Sequence, residues 1–150
     1  VAEAKQAGVV VVDASGQIAG RLCSKVAKLL LEGNRVVVVN AAKALISGKR
    51  QMVIGEWKAF LQVKSRVHPK YGPFHPRRPD TILARMIRGM VPRKKPKGRE
   101  ALRRLRVYTG VPREYAGVEK VRFEEAAIRK PISYYVSLEE LARMLGGIRG

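Results

Sequence analysis

At 150 residues, 46% of them apolar, the chain is long enough to bury a core and too apolar to be a disordered tail. Its 31 Lys/Arg against 12 Asp/Glu give a net charge of +19, and residues 64–106 alone hold fifteen cations against only Asp80 and Glu100. Like charges at this density oppose compaction and point to a polyanion whose phosphates neutralise the excess.

Residues 9–12 are a β-branched run ending at Asp13, the pattern of a strand covered on both faces. Ile18, Leu22, Val26, Leu29 and Leu30 then recur at helical spacing, with Arg21, Lys25 and Lys28 as a basic stripe on the opposite side and Gly33 as the stop. A second run, residues 36–39, completes a βαβ unit. A short third strand is expected within residues 43–48, and a helix over residues 51–64 with Val53, Trp57, Phe60 and Leu61 inward. Residues 65–79 contain four prolines and Gly72, which forbid helix and suit an extended arm.

Asp80 is expected to cap a helix that buries Ile82, Leu83, Met86, Ile87 and Met90 and turns Arg85 and Arg88 outward. A basic connector over residues 93–97 leads to a helix over residues 98–106, where Arg99, Arg103 and Arg106 recur at i, i+4 and i+7. Residues 107–111 read as a fourth strand. Ser137 and Glu140 form the capping box of a last helix bearing Leu138, Leu141, Ala142 and Leu145. Residues 117–150 are nearly neutral, and either pack on the core or face a neighbouring protein. One domain is expected over residues 1–150, with no internal repeat.

The turn at residues 13–20 has neither the GxGxxG nor the GxxxxGK[ST] spacing of a phosphate cradle, so no nucleotide cofactor is expected. His68 and His75 lack a neighbouring cysteine or carboxylate that would complete a metal site. The lone Cys23 cannot close an internal disulfide and falls among apolar positions, which suits a structural thiol in a reducing cytoplasm. No run approaches membrane-spanning length, and residues 1–8 carry no leader pattern.

The side chains expected to touch RNA are therefore Arg21, Lys25, Lys49 and Arg50 in the first third of the chain, then His68, Lys70, Tyr71, His75, Arg77 and Arg78 on the arm. Arg85, Arg88, Arg93, Lys94, Lys95, Lys97, Arg99, Arg103 and Arg106 follow. Rings can stack on unpaired bases while Arg and Lys hold phosphates. An enzyme using Asp13 at the end of the first strand is the rival reading. Against it, Asp13 can accept backbone hydrogen bonds in the turn that follows.

Several segments carry a family resemblance. Asp13-Ala14, Gly20-Arg21-Leu22, Val37-Val38-Val39-Asn40-Ala41 and Ile46-Ser47-Gly48 are followed by Arg78-Pro79-Asp80, Arg88-Gly89-Met90, Gly98-Arg99 and Leu105-Arg106-Val107-Tyr108. In order and spacing these resemble the large-subunit ribosomal protein L-thirteen family, and Val67-His68-Pro69-Lys70-Tyr71-Gly72-Pro73 resembles its archaeal and eukaryotic branch. The absence of the long carboxyl-terminal helix of eukaryotic members favours the archaeal type. The resemblance implies an α/β fold of three layers, α/β/α, around a small, mainly parallel four-stranded sheet. It also implies a non-catalytic role on large-subunit ribosomal RNA beside neighbouring ribosomal proteins, with no cofactor, membrane or small-molecule substrate. An extra-ribosomal role on messenger RNA stays open as an alternative.

Overall fold

The computed structural model describes residues 5–6, 9–63, 66–67 and 75–146. Its centre is a four-stranded sheet in the order β1-β2-β3-β5, formed by β1 (Lys5–Gln6), β2 (Val9–Asp13), β3 (Arg35–Val39) and β5 (Leu105–Val107). β2 and β3 run parallel, with Val9 opposite Arg35 and Asp13 opposite Val39, and β3 and β5 are also parallel. Only β1 is antiparallel. The expected α/β sheet is present, but its membership differs from the sequence reading. β4 (Leu45–Ser47) lies outside it and pairs antiparallel with β6 (Tyr135–Ser137), while the two-residue β1 supplies the fourth strand.

Both faces of the sheet are covered, as its valine runs require. Val10, Val12, Val36 and Val38 belong to the main core together with Leu22, Cys23, Val26 and Leu30 of α1 (Ala19–Leu31). α3 (Pro79–Gly89) adds Ile82, Leu83 and Ile87, and α5 (Leu138–Met144) adds Leu138 and Leu141. The layer on the opposite face is thin. Val11, Val37 and Val39 are covered there by Tyr108, Tyr115 and Val118, around a single 3₁₀ turn at Arg113–Tyr115.

α2 (Arg50–Leu61) is a surface helix with Val53 as its one buried residue, and it stops three residues before the expected end. α3 begins two residues earlier than expected, with Arg78 rather than Asp80 at the cap. Pro79, whose missing N–H is no loss at a helix start, occupies the first turn, so Asp80 sits inside that turn rather than at the cap. α4 (Pro96–Arg103) ends at Arg103, which frees residues 105–107 to join β3 as a strand two residues ahead of the expected position. The capping box at α5 is present: the Glu140 N–H donates to Ser137 Oγ at 3.2 Å.

The near-neutral carboxyl segment packs on the core. Val121 takes over the edge of β2 beyond β1, its N–H donating to Val11 O at 2.8 Å and its carbonyl accepting from Asp13 N–H at 3.0 Å. The Ile18 N–H donates to Ala126 O at 2.7 Å, and the buried Gln17 accepts from Phe123 N–H through Oε1 at 3.2 Å.

Candidate nucleic-acid interface

α3 sets the geometry of the basic region. Its apolar positions point into the core, Asp80 complements the positive end of the helix dipole, and Arg78, Arg85 and Arg88 fall at spacings of seven and three along the exposed side. Facing that side is the edge strand β5, where Arg106 is held by its own backbone, Nη1 donating to Leu105 O at 2.8 Å. Between α3 and β5 lies an open cleft of about 720 Å³. Arg77, Arg78, Arg85, Arg88 and Arg106 line it, over a floor of Ala84, Leu102, Leu105 and Val107. Asp80 is the one acidic side chain among the described residues lining the cleft, and its Oδ1 lies 3.7 Å from Arg78 Nε.

The near end of the arm is fastened to the body. His75 Nε2 lies 2.7 Å from the Val63 carbonyl, and its ring meets Phe60 edge-on at 4.4 Å between centroids. Arg77 Nη1 donates to Leu145 O at 3.2 Å, which satisfies a carbonyl at the end of α5. His68, Lys70 and Tyr71, and with them most of the expected arm over residues 65–79, lie outside the described residues.

The connector and α4 carry further exposed cations. Arg93, Lys94, Lys95 and Lys97 are exposed on the connector and the start of α4, and Arg99 and Arg103 are exposed further along α4. The connector is pressed against the helix at Gly98, where a Cβ would come within 2.0 Å of the Pro92 carbonyl oxygen. Arg103 and Arg106 also border a hollow of about 370 Å³ on the thin side of the sheet, with Arg35, Arg104 and Tyr115. Arg35 and Arg104 were not anticipated from sequence. Arg104 in addition donates from Nη2 to Leu30 O at 2.8 Å and so closes the end of α1.

The remaining expected cations are differently placed. Lys25 pairs with Glu125, and Arg50 with Glu140 at 2.5 Å; both acids belong to the carboxyl segment. The hydrogen bond and the charge of Lys25 hold the Glu125 carboxyl below its ordinary range. Arg21 donates from Nη1 to Glu125 O at 3.4 Å, and Lys49 is exposed just ahead of α2. The structure thus brings cations of α3 and β5 together in the cleft and cations of β3, α4 and β5 together around the hollow, and ties Lys25 and Arg50 to acids ninety or more residues away.

Asp13, the rival catalytic candidate, is occupied by its own turn. Its Oδ1 accepts from the Ser15 N–H at 2.9 Å and from Asn40 Nδ2 at 3.1 Å, with Arg122 Nη1 3.9 Å from Oδ2. Asn40 reaches it from a left-handed backbone conformation, φ 59°, which asparagine tolerates better than most residues. Cys23 is fully buried, and burial pushes its thiol up to about 12, which makes it inert. Among the described residues no helix is long and apolar enough to cross a membrane.

Compared with known proteins, residues 7–114 match the family described as Ribosomal protein L13. The chain belongs to this family. It is 49% identical over 138 residues to the large ribosomal subunit protein uL13 of Aeropyrum pernix, covering 91% of this chain and 89% of that protein. The protein of the same name from Archaeoglobus fulgidus is 48% identical over 138 residues, covering 91% and 86% of the two chains. That of Sulfolobus acidocaldarius is 40% identical over 145 residues, covering 96% and 97%. These archaeal relatives extend the family match into the carboxyl segment, where β6 and α5 complete the core.

Proposed function

We propose that the chain is a non-catalytic constituent of the large ribosomal subunit that binds ribosomal RNA through the surface formed by α3, the connector, α4 and β5. The observation that carries this reading is the cleft in which five arginines from three separate segments surround one acid. Guanidinium groups held at such spacing suit phosphates of a folded RNA, which they bind with two donors each while releasing counterions. Lys25 and Arg50, already paired with carboxylates, contribute less than the cations of residues 77–106. Neighbouring large-subunit proteins meet the remaining surface, and the cytoplasm is the corresponding compartment. No reaction is assigned, since Asp13 serves the turn and the βα turn lacks a phosphate cradle.

The test is co-sedimentation with large subunits at rising salt, together with binding to a large-subunit RNA fragment. If about eight phosphates are contacted, the log–log salt slope is roughly −6 to −7. A slope near −1, or a protein found only in the soluble fraction, would refute the reading.

A further inference from the structure

The arginine cleft has two properties that phosphate binding leaves unused. Its floor is apolar, built from half-buried or buried Ala84, Leu102, Leu105 and Val107. A regular RNA helix presents convex rows of phosphates and ribose and has nothing apolar to lay on such a floor. In addition, two buried polar atoms of residues lining the cleft, His75 Nδ1 and Asp80 Oδ1, have no hydrogen-bond partner among the described residues; the Arg78 Nε that pairs with Asp80 Oδ1 lies at 3.7 Å, too far for a hydrogen bond. Buried polar atoms are rarely left in this state, and each one costs stability until a partner arrives.

The chemistry of the two atoms narrows what that partner is. His75 Nε2 faces the Val63 carbonyl at 2.7 Å, and a carbonyl only accepts, so Nε2 carries the proton. In the neutral ring Nδ1 is then an acceptor. Asp80 Oδ1 is an acceptor as well. Both orphans require a ligand that donates N–H or O–H groups and has a flat apolar body to cover the floor, and the arginines around them require that it be attached to phosphate.

From this we infer that the cleft seats a single unpaired nucleotide of the RNA whose base carries an exocyclic amino group. The base lies over the floor, its amino group donates to Asp80 Oδ1 or His75 Nδ1, and the arginines hold the flanking phosphates. Guanidinium planes add stacking surface, a mode known for unpaired bases. The cleft volume of about 720 Å³ falls within the roughly 300–1,000 Å³ of sites that enclose small molecules. Uracil has no exocyclic amine and offers only its single ring N3–H, whereas adenine, cytosine and guanine present an amino group with two donors, so the site prefers those three. The inference rests on the RNA-binding reading above.

The test uses the unaltered full chain and four labelled RNA hairpins that share one stem and differ only in a one-nucleotide bulge: adenine, cytosine, uracil or an abasic site. Because the phosphates are the same in all four, their contribution cancels. Fluorescence anisotropy is expected to show adenine and cytosine bulges binding about tenfold tighter than uracil, the scale of a hydrogen bond to a charged group. Uracil is expected to bind roughly fivefold tighter than the abasic site, from burial of the floor. In Asp80→Asn the adenine-to-uracil ratio should shrink while the salt slope stays as it was. Equal affinity for all four hairpins with a steep salt slope would overturn the base seat and leave phosphate binding standing. Weak, salt-insensitive binding to every hairpin would instead overturn the RNA-binding reading, and the base seat with it.

Discussion

Replacing Gly98 by alanine tests how α4 and the basic connector are held together. The residue has an ordinary helical backbone, so alanine should gain up to about 1 kcal/mol of helix propensity. Opposing that gain, the new Cβ would lie 2.0 Å from Pro92 O, 2.4 Å from Pro92 C and 3.0 Å from Arg93 N, all of them backbone atoms. The connector cannot easily retreat. Pro92 O accepts the Lys95 N–H at 3.0 Å, and the preceding Val91 is buried in the core. Overpacking of this kind costs about 1–3 kcal/mol, and disturbing the turn hydrogen bond adds about 1 kcal/mol. The expected net loss is roughly 2 kcal/mol, which lowers Tm by roughly 4–8 °C for a chain of this size. Gly55→Ala is the control: it lies inside α2 with nothing within 4 Å of the added methyl, and should gain about 0.5–1 kcal/mol. Both variants are followed by thermal unfolding monitored by circular dichroism. If Gly98→Ala raises Tm as Gly55→Ala does, the tight seating of α4 on the connector is wrong.

Reversing Arg99, Arg103 and Arg106 together to glutamate should leave the helical signal intact, because all three side chains are exposed. It should weaken RNA binding at least a hundredfold, on the order of 1 kcal/mol per phosphate contact, and loss of fold would refute the placement of that face. Glu125 should titrate below the ordinary 4.5 by NMR, and Lys25→Met should raise it toward that value. Its folded-state pKa is lowered, so the stabilising contribution of the pair is present above the unfolded value and fades as pH falls through the folded one. High salt should shrink it, since Glu125 is exposed. Cys23 should not react with Ellman's reagent at pH 8 in the native protein and should react fully in denaturant; rapid labelling of the folded chain would contradict its burial.

What could be read from the sequence is what short-range pattern encodes. The valine runs of β2 and β3, the amphipathic period of α1 and α3, and the capping box of α5 are local signals, and each forms as expected apart from the earlier start of α3. The misplaced elements depend on distant partners. Leu45–Ser47 is a strand because Tyr135–Ser137 lies beside it some ninety residues later, and the two-residue β1 is too short to leave a pattern. Residues 105–107 are recruited by β3 from a stretch whose arginine spacing also suits a helix. For the site, the excess of arginine was evident from composition. That α3 and β5 converge on a common cleft was not, nor that Lys25 and Arg50 are matched by Glu125 and Glu140. Asp80 and His75 gave only ordinary signals, because an unsatisfied atom becomes visible only after the surrounding chain has closed over it.

The edge position of Val121, and the places of β6 and α5 in the core, have a consequence for synthesis. The chain is made from its amino end, and the floor beneath α3 stays incomplete until Leu141 and Leu145 have emerged to fill it. At translation rates of about 5–20 residues per second, that is roughly 2–8 s after Arg106. During this interval the nascent protein presents its densest positive charge on a half-built scaffold, with Lys25 and Arg50 still waiting for their carboxylates. The last segment made is therefore a latch: its arrival completes the core beneath α3 and pairs Lys25 and Arg50 with their carboxylates.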